Sequence, residues 1–376
     1  MELFNVYPLF DIEPEKAEGA YLWDASGTRY LDLYGGHAVI SIGHSHPHYV
    51  KKISDQLQKI GFYSNSVQIP GQKELASKLG ELSGKDHFHL FLCNSGAEAN
   101  ENAMKAASFY TKKKKIISFT NGFHGRTSLA VAVTDNDKIT APVNETDNAH
   151  ILPFNDIEAL ERTFARSGNE VAAAIIEGIQ GIGGIYMPDK AFAKRLRELC
   201  DQYNVMLIAD SVQCGYGRSG KFFSHDYLDV EADIYTLAKG MGNGFPLAGV
   251  LIHPKIEAWP GMLGTTFGGN HLACAAGIAV LDVMKEDGLM ENALSIEQYI
   301  RSELKGHPAV KEIRGKGLML GIELDREAAP VRKALLMEHR IFTGSSNNKY
   351  TIRLLPALNV QKKEIDMFME AFHKVM

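Results

Sequence analysis

One lysine, Lys239, stands between an apolar segment and a glycine-rich loop in DIYTLAKGMGNGFP (residues 233–246). An amine shielded from water can lose its proton and act as a nucleophile or a base, because burial disfavours the charged form. Most lysines, however, are solvated surface residues. The segment itself is compatible with both interpretations, so other residues have to decide between them.

Three further segments place polar residues directly after apolar runs. Asp210 ends VMLIAD and Glu177 ends VAAAIIE, while Phe123, His124 and Arg126 follow IISF in TNGFHGRT. A carboxylate at the end of a buried strand needs a cationic partner, because an unpaired buried charge is costly. For Asp210 a nearby arginine, a bound cation or the pyridinium nitrogen of a ligand would serve.

Two segments could bind phosphate. In NSGAEANE (94–101), Ser95 can cap a helix and Glu98 would complete a capping box. Gly96 and Ala97 then offer open backbone N–H groups at a helix N-terminus, where anions are stabilised. An ordinary capped helix would look the same. The segment LGTTFGGNH (263–271) supplies two hydroxyl groups, those of Thr265 and Thr266, beside glycines.

The elements around these residues alternate between strands and helices. Short apolar runs predict strands at FHLFLC, IISF, VAAAIIE, VMLIAD, DIYTLA and AGVLIH, and helical spacing predicts helices at EANENAMKAASFY and DKAFAKRLRELCDQY. This order is typical of an α/β protein with a mostly parallel sheet. The connection from Leu237 to Ala248 is too short for a parallel crossover, so we expect the last two strands to be antiparallel. Ligands of such sheets bind at the carboxyl ends of the strands.

The chain is long enough for two domains. GAYLWDASGTRYLDLYGG predicts an N-terminal hairpin at the turn DASG. After residue 281 we expect a helix at LDVMKEDGLMENALSIEQYI, a strand at VKEIRGKGLMLGIEL, a helix, a strand at YTIRLLP and a final helix. The predicted division is a large domain at 45–281 and a smaller α/β domain made of 1–44 and 282–376.

Composition narrows the functional classes. The 376 residues carry a net charge of −5, whereas proteins that bind nucleic acid usually carry a basic surface. The run Lys112–Lys115 is interpreted as a solvated connection into a strand. Four widely spaced cysteines predict neither disulfides nor a zinc site. With no leader-like segment and no long apolar run, the expected protein does not enter membranes and is cytoplasmic.

Several motifs together resemble the class III, ornithine-type aminotransferases, which use pyridoxal 5'-phosphate (PLP). They are GHSHP (43–47), NSGAEANE (94–101), FHGRT (123–127), DSVQCGYGRSG (210–220), LAKGMGNGFP (237–246), TTFGGNHLACAA (265–276) and IRGKGLMLGIE (313–323). Within the family, the motifs look most like those of the acylornithine aminotransferases of arginine biosynthesis. The resemblance implies the two-domain, dimeric PLP-dependent fold type I.

The resemblance also implies roles for single residues. Lys239 would bind PLP covalently, which requires an amine that is at least partly neutral. Asp210 would pair with the pyridine nitrogen, Gln213 would hydrogen-bond the ring hydroxyl, and Thr266 would reach the phosphate in the neighbouring subunit's site. The expected catalytic residues are Lys239 and Asp210. The expected cofactor site comprises Ser95, Gly96, Ala97, Phe123 (stacked on the ring), His124, Glu177, Asp210, Gln213, Lys239 and Thr266. The expected substrate site comprises Arg126, Thr265 and the carboxylate-binding Arg353, with no metal.

The implied reaction moves the terminal amino group of an N2-acylornithine, acetyl or succinyl, to 2-oxoglutarate. Ornithine or another ω-amino acid is an alternative donor, and an aminomutase would use the same fold. More distant alternatives are a non-catalytic PLP-binding protein and a nicotinamide dehydrogenase. The dehydrogenase is considered because GIQGIGG (178–184) resembles a dinucleotide-binding loop. Such a loop leads directly into a helix, whereas here IYMP lies between the loop and the next predicted helix. The histidines of GHSHPHY (43–49) raise a metal site as a further alternative.

Two positions depart from the family pattern. Ile182 in EGIQGIGG and Ser211 in DSVQ stand where relatives commonly have glutamate. In ornithine aminotransferase, the first of these glutamates pairs with the arginine that matches Arg353. We therefore expect Arg353 to be open to a carboxylate, which disfavours free ornithine as donor. We also expect a less acidic pocket, which would tolerate an acyl group with its own carboxylate, such as succinyl.

Overall fold

Strands and helices alternate along the chain in a computed structural model that describes residues 1–376. The strands are β1 Pro14–Glu18, β2 Tyr21–Asp24, β3 Arg29–Asp32, β4 His89–Cys93, β5 Lys115–Phe119, β6 Ala149–Leu152, β7 Val171–Glu177, β8 Met206–Asp210, β9 Ile234–Leu237, β10 Ala248–Ile252, β11 Val310–Lys316, β12 Met319–Leu324, β13 Ile341–Phe342 and β14 Thr351–Leu354. The helices are α1 Gly35–Ala38, α2 Pro47–Leu57, α3 Pro70–Ser83, α4 Gly96–Thr111, α5 Ser128–Ala132, α6 Ile157–Ser167, α7 Gly181–Gly184, α8 Lys190–Tyr203, α9 His271–Glu286, α10 Leu289–Glu303, α11 Ala328–Met337 and α12 Lys362–Val375.

The main sheet has seven strands in the order β4-β10-β9-β8-β7-β5-β6. Only β10 runs against the others, pairing antiparallel with both β4 and β9. The strands predicted at these positions along the chain are therefore confirmed. The predicted antiparallel pairing of the last two, β9 and β10, is confirmed as well. All seven residues of β7 are buried, as expected for a strand with both faces covered by helices. Because the other six strands run the same way, their carboxyl ends meet along one edge.

Two smaller sheets lie outside the seven-stranded one. The first joins N-terminal to C-terminal residues in the order β1-β2-β3-β13, and the second is β11-β12-β14. The pairing of β3 with β13 supports assigning both chain ends to one domain. The boundary at 281/282 stays a prediction, and α9 passes through it without a break.

Three sequence expectations differ from the structure. The single helix expected near residues 281–300 is two helices, because Gly288 takes a left-handed φ of 59° between α9 and α10. The single strand expected at 310–324 is the hairpin β11–β12, which turns at Gly317 with φ 56°. Strand β6 was not predicted. It lies at the sheet edge with no fully buried residue, so its sequence lacks the apolar run of the inner strands.

A buried arginine ties three distant segments together. The side chain of Arg218, only 2% exposed, donates hydrogen bonds to the carbonyl groups of Ile40 (3.2 Å), Leu318 (3.3 Å) and Pro356. These carbonyls lie after α1, in the β11–β12 turn and after β14. No carboxylate pairs with Arg218, and burial lowers the pKa of its guanidinium. Arg218 therefore stabilises the fold through its hydrogen bonds to three carbonyl groups that are otherwise unpaired.

Replacing Arg218 by methionine should lower the free energy of unfolding by about 3 kcal/mol or more, since each buried carbonyl left without a donor costs roughly 1–3 kcal/mol. Urea unfolding followed by circular dichroism, at fixed protein concentration, measures this. The matched control is Arg162→Met, because Arg162 is an exposed arginine paired with Glu158 at 3.3 Å. Its loss should cost about 0.5 kcal/mol or less. Equal stability of the two variants would contradict the role given to Arg218.

Candidate active site

The sheet edge brings two carboxylates side by side. Glu177 at the end of β7 and Asp210 at the end of β8 are register partners, and both side chains are buried. Loops after β4, β5 and β9 reach the same edge and bring Ser95, Phe123 and Lys239 to it. The polar residues expected at strand ends therefore meet in one place.

Asp210 is held by neutral hydrogen-bond donors and a histidine. His124 Nδ1 (2.7 Å) and Asn100 Nδ2 (2.8 Å) both donate to its Oδ2, and the backbone N–H of Val212 donates to Oδ1 at 3.0 Å. Burial by itself would raise the pKa of Asp210, but the hydrogen bonds, led by that of His124, hold it below its usual value. Of the three partners considered for Asp210, an arginine is not among its hydrogen-bond donors. The carboxylate stays ionised and keeps one oxygen directed away from its side-chain partners.

Glu177 organises two loops. Its Oε1 accepts from the N–H of Phe123 at 3.0 Å and its Oε2 from the N–H of Gly181 at 2.9 Å. Burial, and then the charge of Asp210, raise the pKa of Glu177 above its usual range. Because both oxygens are engaged by backbone groups, this carboxylate positions the Phe123 loop and α7 rather than facing the cavity as a free base.

The start of α4 is an anion site built from backbone. Ser95 Oγ accepts from the N–H of Glu98 at 3.2 Å, which caps the helix. The predicted capping box is half wrong, since the Glu98 carboxylate accepts instead from the N–H of Asn94 at 2.9 Å. The N–H groups of Gly96 and Ala97 have no protein acceptor. A Cβ on Gly96 would lie 2.6 Å from Val212, so only glycine lets this turn approach Val212.

Lys239 begins a single 3-10 turn, Lys239–Met241, with a left-handed φ of 47°. Burial lowers the pKa of its ammonium, and the charges of Asp210 and Glu177 partly oppose this. A lysine with a lowered pKa that faces a cavity supplies a neutral amine more readily than a surface lysine does. The solvated interpretation of Lys239 is therefore wrong.

These groups line one cavity of about 770 Å³. Of the residues predicted for the site, the cavity wall contains Ser95, Gly96, Ala97, Phe123, His124, Arg126, Glu177, Asp210, Gln213, Lys239 and Arg353. Thr265 and Thr266 are not part of it. Thr265 Oγ1 accepts from Asn94 Nδ2 at 3.1 Å, and Thr266 is exposed to solvent. Their cofactor and substrate roles stay predictions.

Arg353 is fully buried yet has no carboxylate partner. Its Nη1 donates to Gln213 Oε1 at 3.2 Å and its Nε donates to the carbonyl of Ser345. Gln213 Nε2 in turn donates to the carbonyl of His37 at 3.1 Å. Gln213 therefore contacts Arg353 here, and its predicted bond to a cofactor hydroxyl stays a prediction.

The two family departures lie in different surroundings. Ile182 is on the cavity wall, so an apolar side chain stands where relatives carry a charge. Ser211 is buried away from the cavity, with its hydroxyl 3.4 Å from His225 Nδ1. The expectation that both changes make the pocket less acidic is therefore wrong for Ser211 and applies only to Ile182.

The alternative sites do not assemble. The three histidines of GHSHPHY contact three different carboxylates, those of Asp32 (2.9 Å), Asp287 (3.7 Å) and Asp282 (3.1 Å). No group of three or more His, Cys, Asp or Glu side chains is arranged to hold a metal ion. The GIQGIGG loop forms only the four-residue α7 and does not open into a long helix as a dinucleotide loop would.

Sequence reasoning missed several residues of the site. Asn100, Val212, Tyr34 and His37 were not predicted. Asn100 lies four residues after Gly96, one turn along α4, and that spacing alone could have placed it beside the anion site. Tyr34 and His37 come from the N-terminal segment, and no local pattern connects them to the strand ends.

The comparisons with known proteins agree with this geometry. The family model described as Aminotransferase class-III matches residues 5–376. The chain belongs to the class III aminotransferases. It is 39% identical over 371 residues to the acetylornithine aminotransferase of Archaeoglobus fulgidus, covering 98% of this chain and 96% of that one. It is 40% identical to that of Methanothermobacter thermautotrophicus, covering 100% and 96%.

Solved structures of other aminotransferases share the fold. The ornithine aminotransferase of Toxoplasma gondii ME49 superposes with a TM-score of 0.91 at 28% identity, covering 99% of this chain and 92% of that one. The acetylornithine aminotransferase of Elizabethkingia anophelis superposes with a TM-score of 0.84 at 30% identity, covering 99% and 95%. The predicted α/β aminotransferase fold and the predicted enzyme class are confirmed. No helix has the length and apolar character needed to cross a bilayer.

Replacing Asp210 by asparagine should lower the pKa of Lys239 further, because the substitution removes the larger of the two charges that raise it. In protein freed of bound cofactor, the pH of half-maximal reductive methylation of Lys239, measured by mass spectrometry, should shift downward. Lys78 is the internal control, since its pKa is raised chiefly by a hydrogen bond to Asp282 and its labelling should not move. An unchanged or higher midpoint for Lys239 would contradict the electrostatic coupling.

Proposed function

We propose that this aminotransferase uses PLP to move the terminal amino group of an N2-acylornithine to 2-oxoglutarate. The products are the acylglutamate semialdehyde and glutamate, a step of arginine biosynthesis. The observation that carries the proposal is the cavity in which the Lys239 amine, the ionised Asp210 and the free N–H groups of α4 converge. The identity to acetylornithine aminotransferases over nearly the whole chain supports the choice of donor.

The residues present fit PLP. Its phosphate would be held by the unpaired N–H groups of Gly96 and Ala97 at the start of a helix of 16 residues. Its aldehyde would meet the Lys239 amine, and its ring nitrogen would face the Asp210 carboxylate. Phe123 and Val212, both on the cavity wall, offer apolar surfaces for the ring.

Bound PLP supplies an electron-withdrawing ring that makes the C–H bond beside the transferred nitrogen acidic. Asp210 would offer a negative charge to the ring nitrogen, because His124 and Asn100 stabilise its ionised form. Lys239 Nζ, with its lowered pKa, would accept the proton of the substrate carbon and pass it to the former aldehyde carbon of the cofactor, which is general acid–base catalysis by a positioned amine. Glu177 holds the Phe123 loop against the site.

Two arginines would bind the substrate carboxylates. Arg353 offers a buried guanidinium whose side-chain partner, Gln213, is neutral, and Arg126 stands exposed at the cavity wall. A planar guanidinium suits bidentate contact with a carboxylate. With Ile182 in the wall, no charged side chain competes for Arg353 from that position, so we propose that acylated ornithine is preferred over free ornithine.

The active protein is proposed to be a cytoplasmic homodimer. Large apolar side chains are exposed near Thr266, among them Phe267 (61% exposed), Tyr63 (54%) and Phe62 (43%). The rings of Phe62 and Phe267 lie 5.4 Å apart. Exposed apolar patches of this kind mark protein interfaces. We propose that a second copy covers this surface and that Thr266 then contacts the phosphate in the partner's site.

A donor panel tests the proposed reaction. With 2-oxoglutarate as acceptor, kcat/KM should be highest for N-acetylornithine or N-succinylornithine. For free ornithine it should be lower by about tenfold or more, because the α-ammonium of ornithine would lie near the positive charges of the cavity. Asp210→Asn and Lys239→Ala should abolish turnover. Preference for free ornithine would contradict the donor, and turnover without 2-oxoglutarate would indicate an aminomutase. Equal use of acetyl and succinyl donors would contradict a pocket suited to an anionic acyl group.

Mixed dimers test the position of Thr266. A Lys239→Ala subunit is inactive but carries an intact Thr266, and a Thr266→Ala subunit keeps its own Lys239. If Thr266 acts across the interface, co-refolded mixtures should contain one complete site per heterodimer and bind PLP more tightly there than Thr266→Ala homodimers do. PLP titration followed by absorbance measures this. No gain over the homodimers would show that Thr266 does not act in the partner's site.

A further inference from the structure

The cavity wall contains a turn that is strained for the residues it carries. Gly35, Gly36, His37 and Ala38 all have left-handed φ values, of 55°, 53°, 68° and 63°. The first two are glycines, but His37 and Ala38 carry a Cβ, which this region disfavours. Such strain is kept where the surrounding structure holds the residue, and it concentrates at functional sites. The turn brings the His37 ring to the cavity wall, where it is exposed.

Hydrogen bonds connect His37 to Arg353. The backbone carbonyl of His37 accepts from the Gln213 amide, and the oxygen of that amide accepts from Arg353. Its Nδ1 lies 2.5 Å from the hydroxyl of Tyr34. The Arg353 guanidinium carbon lies 5.9 Å from the centre of the Tyr34 ring. Four side chains, Tyr34, His37, Gln213 and Arg353, thus form one connected group, which we call the Arg353 cluster.

The hydrogen bonds determine which His37 nitrogen carries the proton. Partial desolvation at the cavity wall, followed by the charges of Arg353 and Lys239, lowers the pKa of His37 although part of its ring is exposed, so the ring is neutral near pH 7. The positive charges of Arg353 and Arg332 act on Tyr34, so its hydroxyl turns the oxygen toward them and donates its hydrogen to Nδ1. The remaining nitrogen, Nε2, lies 3.5 Å from the same hydroxyl and carries the hydrogen, so His37 stands on the cavity wall with a donor.

The Arg353 cluster is short of negative charge. Arg353 has no carboxylate partner, and neither does Arg332, the other guanidinium whose charge acts on Tyr34. Buried cations without a counter-ion favour an anionic ligand, because the ligand relieves an unfavourable buried charge. A hydrogen-bond donor placed beside such a guanidinium adds a second contact for the same anion.

We propose that His37 is a specificity-determining residue that donates from Nε2 to the carboxylate bound by Arg353, next to the reacting carbon of the oxo acid. This rests on the proposed function, in which 2-oxoglutarate is the acceptor. When an acylornithine reacts at its terminal amine, no carboxylate lies next to the reacting carbon. His37 therefore serves the acceptor half of the reaction and not the donor half.

His37→Gly tests the proposal in the holoenzyme, because glycine removes the ring and accepts the left-handed backbone. KM for 2-oxoglutarate and Kd for glutarate, an unreactive dicarboxylate measured by calorimetry, should both rise about tenfold or more, the loss expected for one hydrogen bond to a charged group. KM for the acylornithine should stay close to that of the parent protein. If the glycine variant does not fold, His37→Asn tests the same loss with another residue that tolerates this φ.

Ala38→Gly is the matched control, since it relaxes the same turn and leaves the His37 ring in place. Its glutarate affinity should remain that of the parent. Parent-like glutarate binding by His37→Gly, an equal rise of both KM values, or the same loss in Ala38→Gly would overturn the proposal. Glutarate binding is independent of turnover. A chain that fails to transaminate 2-oxoglutarate but loses glutarate binding in His37→Gly would therefore refute the proposed function and not the anion contact.

Discussion

The arrangement of the active site depends on keeping the buried carboxylate of Asp210 ionised. Asp210 lies at the end of a fully buried strand, and burial alone would neutralise it. The hydrogen bonds of His124, Asn100 and the Val212 N–H reverse that effect. Each donor comes from a different segment: the loop after β5, the first turns of α4 and the loop after β8. The chemistry at Lys239 therefore requires the whole sheet edge to be in place.

Parallel strands make that edge possible. Because β4, β5, β7, β8 and β9 run in one direction, the loops that follow them meet over a single cavity. Glu177 adds the connection between neighbouring loops, since its two oxygens accept backbone N–H groups from residues 123 and 181. One carboxylate of the register pair thus shapes the wall through backbone groups, while the other is held mainly by side-chain donors. Glu177 and Asp210 occupy equivalent positions at the ends of neighbouring strands, and their different hydrogen-bond partners give them different roles.

Negative and positive charges occupy different parts of the cavity wall. Asp210 and Glu177 lie at the bottom and are occupied, whereas Arg353 is held only by neutral acceptors. With Ile182 on the wall, the carboxylate site is open without the breaking of an ion pair. The Arg353 cluster extends this cationic region toward the N-terminal turn. The cavity wall thus presents a guanidinium that no protein carboxylate pairs with.

The sequence alone determined the parts that depend on local pattern: the buried strands, the capped start of α4, the antiparallel β10, and the positions of Lys239 and Asp210. Apolar runs, caps and short connections act over a few residues, so they can be recognised in one segment. The family resemblance added Arg353 and gave roles to Thr265 and Thr266, whose hydroxyl groups the single chain leaves outside the cavity.

Only the tertiary structure decided which residues contact one another. It showed that His124 and Asn100, not an arginine, hold Asp210, that Gln213 turns to Arg353, and that Ser211 faces His225. It also brought Tyr34 and His37 to the site from residues about 200 positions away from Lys239. Such pairings arise from the packing of distant segments, and no pattern within either segment encodes them.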